Sequence, residues 1–375
     1  MDRSPLSGIR LNTETSHSAL SISRKENVGK VFAGPDAANR RGGTAVRLWL
    51  FAVAGLVFAM VFIGGATRLT ESGLSITQWK PVTGVIPPLG AADWQAEFDR
   101  YKQIPQFSKL NPDMTLSGFK TIFWWEWAHR LLARIVGAAF VLPALWFWLS
   151  GRFKGEQGRA ILVATGLLAL EPIVGWWMVN SGLSQRTEVA QDRLALHLII
   201  AAGVFGALVY AAVGLSRRTG EGVPRAFVWA AGLFAALVYC QLGLGALVAG
   251  LRAGLIYNEW PLMGGAVVPA EAFPAPWPSS LLNDPATAQF DHRLVAYAVV
   301  AFAIVQALAA LRSAPPGLAR RAALLAAVAT LQAALGIATL VMAVPLGLAL
   351  AHQGVALVLF GLAVAYWRRT QMERA

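Results

Sequence analysis

Eight stretches of nearly unbroken apolar residues lie at 46–66, 121–149, 159–181, 191–214, 225–250, 288–312, 319–342 and 347–367, separated by polar connections. Each is near the roughly 20 residues a helix needs to cross a hydrocarbon core. The runs are continuous and do not alternate, so they predict helices and not the strands of a barrel. The predicted fold is an all-α integral membrane protein, its eight transmembrane helices arranged as two pseudo-symmetric four-helix bundles. The N-terminal half spans 46–215 and the C-terminal half 225–367. Residues 1–45 are polar, rich in Gly, Ser and Arg, and lack an apolar period, which reads as a disordered cytoplasmic tail. A mitochondrial transit peptide is the alternative, but Asp2, Glu14, Glu26 and Asp36 argue against it. Residues 368–375 read as a second cytoplasmic tail.

Composition supports the membrane reading. Only 14% of the 375 residues are charged, against about 25% in soluble domains. The net charge of +12 is explained by topology and not by nucleic-acid binding. Arg152, Lys154 and Arg159 fall in one set of connections, with Arg217, Arg218, Arg225, Arg312, Arg320 and Arg321. The connections after spans three, five and seven are nearly free of Lys and Arg. Both termini are therefore placed in the cytoplasm, in a bacterial inner membrane or, alternatively, on the matrix side of a mitochondrial one. Spans two, four, six and eight then begin at the outer face. The single cysteine, Cys240, reads as a small buried apolar residue.

The halves repeat each other. Gly73-Leu74 and Trp79 in the first match Gly254-Leu255 and Trp260 in the second, at one shared offset of 181. Glu171-x-x-x-Gly175 in span three matches Gln332-x-x-x-Gly336 in span seven. His129-Arg130-Leu131 opens span two and His292-Arg293-Leu294 opens span six. Four of the five histidines, His129, His197, His292 and His352, thus sit a few residues into even-numbered spans. At about 1.5 Å per residue, all four lie near the outer face, two per half.

An ionisable side chain within a membrane span calls for a partner or a function. Two neutral imidazoles can bind heme iron from opposite sides inside a helical bundle. Arg68, Arg130, Arg193, Arg252 and Arg293 stand near the outer face, where propionates would lie. Hydrogen bonding between helices is the bland alternative. A copper or zinc site is another, but no Cys, Met or carboxylate cluster repeats with the histidines. Glu126 precedes His129 by one helical turn, whereas Gln289 holds that place in the second half. This asymmetry suggests chemistry in the first half and a permanent electron carrier in the second. The bland reading pairs Glu126 with Arg130 or Arg134. Glu171, followed by Pro172, reads as a protonated carboxyl bonded between helices beside a kink.

These motifs resemble the heme A synthase family, in its cysteine-free proteobacterial and mitochondrial branch. The matching strings are Trp125-Glu126-Trp127-Ala128-His129-Arg130, Arg193-Leu194-Ala195-x-His197, Gly245 to Gly254, Tyr257-Asn258-x-x-Pro261-x-Met263-Gly264, His292-Arg293 and His352-Gln353. The resemblance implies an oxidoreductase that converts the C8 methyl of heme O to a formyl group, giving heme A for cytochrome oxidase. It implies successive hydroxylation followed by loss of water. His129 and His197 would bind the iron of heme O, with Glu126 taking part in the reaction. His292 and His352 would ligate a heme b, with Arg130 and Arg293 near the cofactors. Expected partners are the heme O synthase that supplies the substrate, an unidentified electron donor or acceptor, the lipid bilayer, and a further copy of the chain in a homo-oligomer. A di-heme membrane protein that oxidises quinol would use the same histidines. A heme transporter is a further rival, but such proteins favour inverted repeats and broken helices.

Overall fold

A computed structural model describes residues 35–153, 155–216, 220 and 222–374, with side chains from residue 43 onward. His17 and most of the expected tail lie outside the described residues. The described residues form helices, with no strand among them. Eight helices are long and apolar enough to cross a membrane: Gly43–Leu69, Leu116–Leu149, Gly155–Asn180, Gln191–Gly214, Arg225–Gly250, Pro285–Ser313, Pro316–Val341 and Leu346–Met372. The protein is a multi-pass helical membrane protein, and these helices are spans one to eight below.

Several spans outrun their apolar core because polar caps extend them. Thr115 accepts a hydrogen bond from the Gly118 amide at 3.3 Å and starts span two ahead of the apolar run. Asp284 accepts from the Thr287 amide at 2.7 Å and Pro285 fills the first turn of span six. The helix of span one begins at Pro35, inside the expected tail.

The expected C-terminal tail is corrected. Span eight stays helical to Met372, and Arg368 is only 6% exposed. Burial is tolerated because its guanidinium meets Glu156 of span three at 2.5 Å, Tyr210 and Gln371. Cys240 is also corrected: it lies in span five but is exposed. Pro172 lies inside a continuous helix, and so does Pro143 of span two, which the sequence reading passed over.

Three helix pairings recur in the two halves. Span one packs on two and four, and three on four; likewise five packs on six and eight, and seven on eight. The fourth pairing differs. Span six packs along span seven, whereas span two makes no comparable packing with span three. Span four is the most enclosed and also contacts spans five and eight, so the two halves join along it.

The long loop after span one is a folded cap. Trp94, Phe98, Tyr101, Ile104, Phe119 and Phe123 bury one another around a helix at Ala91–Tyr101. Phe98 stacks on Phe119 with centroids 5.1 Å apart. Trp94 is therefore core and not an interfacial anchor, while Trp79, Trp260 and Trp277 are exposed.

Candidate functional site

Each membrane histidine lies against a glycine of the neighbouring span. A Cβ on Gly64 would sit 3.0 Å from His129 Nε2, and one on Gly175 would sit 3.1 Å from His197 Cε1. The second half repeats this, with Gly245 at 3.3 Å from His292 Cε1 and Gly336 at 2.8 Å from His352 Cε1. Only a residue without a side chain lets an imidazole approach a helix backbone so closely.

One turn before three of these glycines stands a polar residue that engages Nδ1. Gln241 Nε2 lies 3.0 Å from His292 Nδ1 and donates to the His292 carbonyl at 2.9 Å. Gln332 Nε2 does the same to His352, at 3.0 and 2.9 Å. Glu171 Oε2 lies 2.7 Å from His197 Nδ1. Glu171 therefore lies between spans three and four beside a histidine, in a close contact that lacks the alignment of a hydrogen bond. The sequence carries the signal as a polar residue followed four positions later by glycine, at Gln241, Glu171 and Gln332. The Gln241 instance was missed.

The His292 and His352 rings are 6.4 Å apart between centroids and inclined at 81°. Metal–imidazole bonds of about 2 Å, with ring centres about 1 Å behind each nitrogen, place two trans imidazoles about 6 Å apart. The pair therefore fits a bis-histidine heme. Gln241 Oε1 and Gln332 Oε1 are buried without a partner, and in both residues it is Nε2 that faces Nδ1 and the histidine carbonyl. Among the described residues, no group of three or more His, Cys, Asp or Glu could hold a metal ion. In the first half, His129 and His197 pack on Gly64 of span one and Gly175 of span three.

Glu126 pairs with Arg130, one of the two partners the bland sequence reading gave it. It is 3% exposed and fully engaged. Arg130 Nη2 donates to Oε1 at 2.6 Å, and the Ser75 hydroxyl and Ile76 amide donate to Oε2 at 2.8 and 2.7 Å. Arg130 also holds the Ile76 and Gln78 carbonyls at 2.7 and 3.0 Å. The pair clamps the loop after span one onto span two, so Glu126 has the bland partner, Arg130. Gln289 and Arg293 form the same clamp in the second half. Gln289 donates to the Ala253 carbonyl at 2.9 Å, and Arg293 to Tyr257 and Leu262, both at 3.1 Å. The contrast between Glu126 and Gln289 therefore separates an ionic clamp from a neutral one. Arg193 stacks over Trp177, 4.2 Å from its centroid, and donates to the Trp177 carbonyl.

Several buried N–H groups around the loop end lack an acceptor: Arg68 Nε, Trp127 Nε1 and Arg134 Nη1 in the first half, and Arg293 Nε in the second. Such donors suit carboxylates of a bound porphyrin. Glu188, which sequence reading missed, bridges the halves. Its two oxygens meet Arg68, at 2.6 Å, and Arg252, which also meets Glu71. Glu71 beside Arg252 raises that guanidinium above its ordinary value.

The fold and these contacts define an eight-span helical membrane protein whose four membrane histidines each pack on a glycine of the preceding span. The chain belongs to the COX15-CtaA family of cytochrome oxidase assembly proteins, whose model matches residues 47–364. It is 52% identical over 343 residues to the heme A synthase of Rhodopseudomonas palustris strain BisA53, covering 91% of this chain and 93% of that protein. The heme A synthase of Chelativorans sp. strain BNC1 is 51% identical over 340 residues, 90% and 93% of the two chains. That of Brucella abortus strain S19 is 49% identical over 335 residues, 89% and 94%.

Proposed function

We propose that this protein oxidises the C8 methyl group of heme O to a formyl group, producing heme A. The heme O would lie between His129 and His197, and a resident heme b between His292 and His352. The observation that carries this reading is the unequal closure of two otherwise matching pockets. The second half is shut by packing of span six on span seven, and both its histidines are held through Nδ1. The first half lacks the corresponding packing of span two on span three. Trp124, Trp125, Leu170, Ile173 and Trp177 are exposed on those two spans. A lipophilic porphyrin can exchange with the bilayer through such a gap, whereas a permanent cofactor needs the closed form. A pure electron conduit has no use for one open pocket, so the gap now separates that rival from the enzyme in place of Glu126.

Converting a methyl to a formyl group removes four electrons and inserts one oxygen. Heme b, when bound, supplies a one-electron path for part of this. The residues of the chain orient and protect. Glu171 Oε2, 2.7 Å from His197 Nδ1, would take that proton once the two groups align and so leave Nε2 free for iron. Glu126 and Arg130 fix the loop at 75–78 over the first pocket, which limits water and orients the cap. We assign Glu126 to positioning through that loop. The protein would sit in a bacterial inner membrane with both termini in the cytoplasm, taking substrate from a heme O synthase. Pigments extracted from membranes expressing the chain beside a heme O source test the proposal. Formyl-bearing heme A supports it. Folded, heme-loaded protein that forms none overturns it.

A further inference from the structure

We infer that His129 is a releasable ligand, made so by Met60, and that this lets the first half exchange its porphyrin. The inference rests on the reading that His129 and His197 receive heme O. Three of the four pockets place a polar side chain four residues before the glycine that faces the imidazole: Gln241 before Gly245, Gln332 before Gly336 and Glu171 before Gly175. The fourth glycine is Gly64, and the residue four before it is Met60. A thioether is a poor hydrogen-bond partner for an imidazole N–H. Met60 instead packs against the apolar core.

The ring itself shows the consequence. His197, His292 and His352 turn Cε1 toward their glycine, at 3.1, 3.3 and 2.8 Å from its Cβ position, with both ring nitrogens farther off. His129 turns the opposite edge, with Nε2 and Cδ2 at 3.0 and 3.4 Å from the Gly64 Cβ position. Its Nε2 is pressed toward span one, so the ring must turn before that nitrogen reaches a metal. A histidine without a second partner on its other nitrogen is a weaker and less well-oriented ligand, by about 10–100-fold in affinity in known sites. His197, held by Glu171, remains the fixed ligand of that half. Heme O is then bound firmly on one side and loosely on the other, as a substrate that must leave as product requires.

The test is an exchange of the two side chains between halves. Met60→Gln supplies the first half with the second half's clamp, and Gln241→Met removes it from His292. Purified protein is loaded with heme O, reduced, and mixed with carbon monoxide, which binds only where an axial ligand lets go. The parent should show carbon monoxide binding in the first half, abolished by His197→Ala together with heme O binding. Met60→Gln should slow heme O dissociation tenfold or more and suppress carbon monoxide binding, while Met60→Leu behaves as the parent. Gln241→Met should make the resident heme reactive to carbon monoxide. Unchanged dissociation and carbon monoxide binding in folded Met60→Gln overturn the inference. Where that variant does not fold, an unreactive resident heme in Gln241→Met overturns it. Heme O that fails to bind the parent at all refutes the underlying reading instead.

Discussion

Replacing Gly336 by alanine puts the glycine contacts to a quantitative test. The new Cβ would sit 2.8 Å from His352 Cε1, where carbon atoms ordinarily pack at about 3.5–4.0 Å. The imidazole must retreat by roughly 0.7–1.2 Å. The Gln332–Nδ1 contact, now 3.0 Å, would then stretch to or past the limit of a useful hydrogen bond. Overpacking of this kind costs about 1–3 kcal/mol, against a gain of about 0.8–1 kcal/mol for alanine over glycine in a helix. The net effect on folding is a loss of about 0–2 kcal/mol, but loss of ligand alignment lowers heme retention by about 10–100-fold. Gly245→Ala is the internal comparison. Its Cβ would meet His292 Cε1 at 3.3 Å, so a shift of a few tenths of an ångström suffices and retention should fall much less. The assay is heme per protein after purification, read from the absorption spectrum and from extracted pigment. Equal, full retention in both variants, with a raised melting temperature, would refute the close approach of ring to backbone.

The other contacts give separate expectations. Glu126→Ala breaks a buried, four-fold-bonded ion pair and should destabilise the cap by about 3–5 kcal/mol, seen as rapid proteolysis within 70–115; Gln289→Ala should act in the same direction more weakly. Intact cap resistance in Glu126→Ala alongside lost activity would instead make Glu126 a catalytic residue. Glu171→Gln should preserve folding and heme O binding, because the same amide serves at Gln332, whereas Glu171→Leu removes the carboxylate 2.7 Å from His197 Nδ1 and should weaken heme O binding; a heme O titration ranks them. Glu188→Gln should lower the melting temperature by loosening the join between Arg68 and Arg252, and the deficit relative to the parent should shrink in high salt.

Much of this was legible in the chain. Continuous apolar runs fixed the number of spans, because nothing else satisfies so long an apolar stretch. The repeated motifs gave each membrane histidine a matching position in the other half, and each of the four packs on a glycine of the preceding span. What escaped reading depends on contacts between distant residues. Arg368 looked like a tail charge until Glu156, 212 residues away, proved to be its partner. Glu126 shares a helix with His129, but Ser75 and Ile76 of a remote loop decide where its carboxylate goes. The gap between spans two and three leaves no trace in hydropathy, since lipid-facing and gap-facing residues are equally apolar. The Gln241–Gly245 spacing was present in the letters, yet it becomes a signal only once the glycine is seen to face a ring.

The central claim is that twin pockets differ in purpose, one keeping its porphyrin and the other exchanging it. Heme extraction and absorption spectra of four purified single variants, His129→Ala, His197→Ala, His292→Ala and His352→Ala, test it most directly. The account expects the last two to lose the resident low-spin heme and the first two to keep it while failing to accumulate heme A. Equal loss of one and the same heme in all four would contradict it.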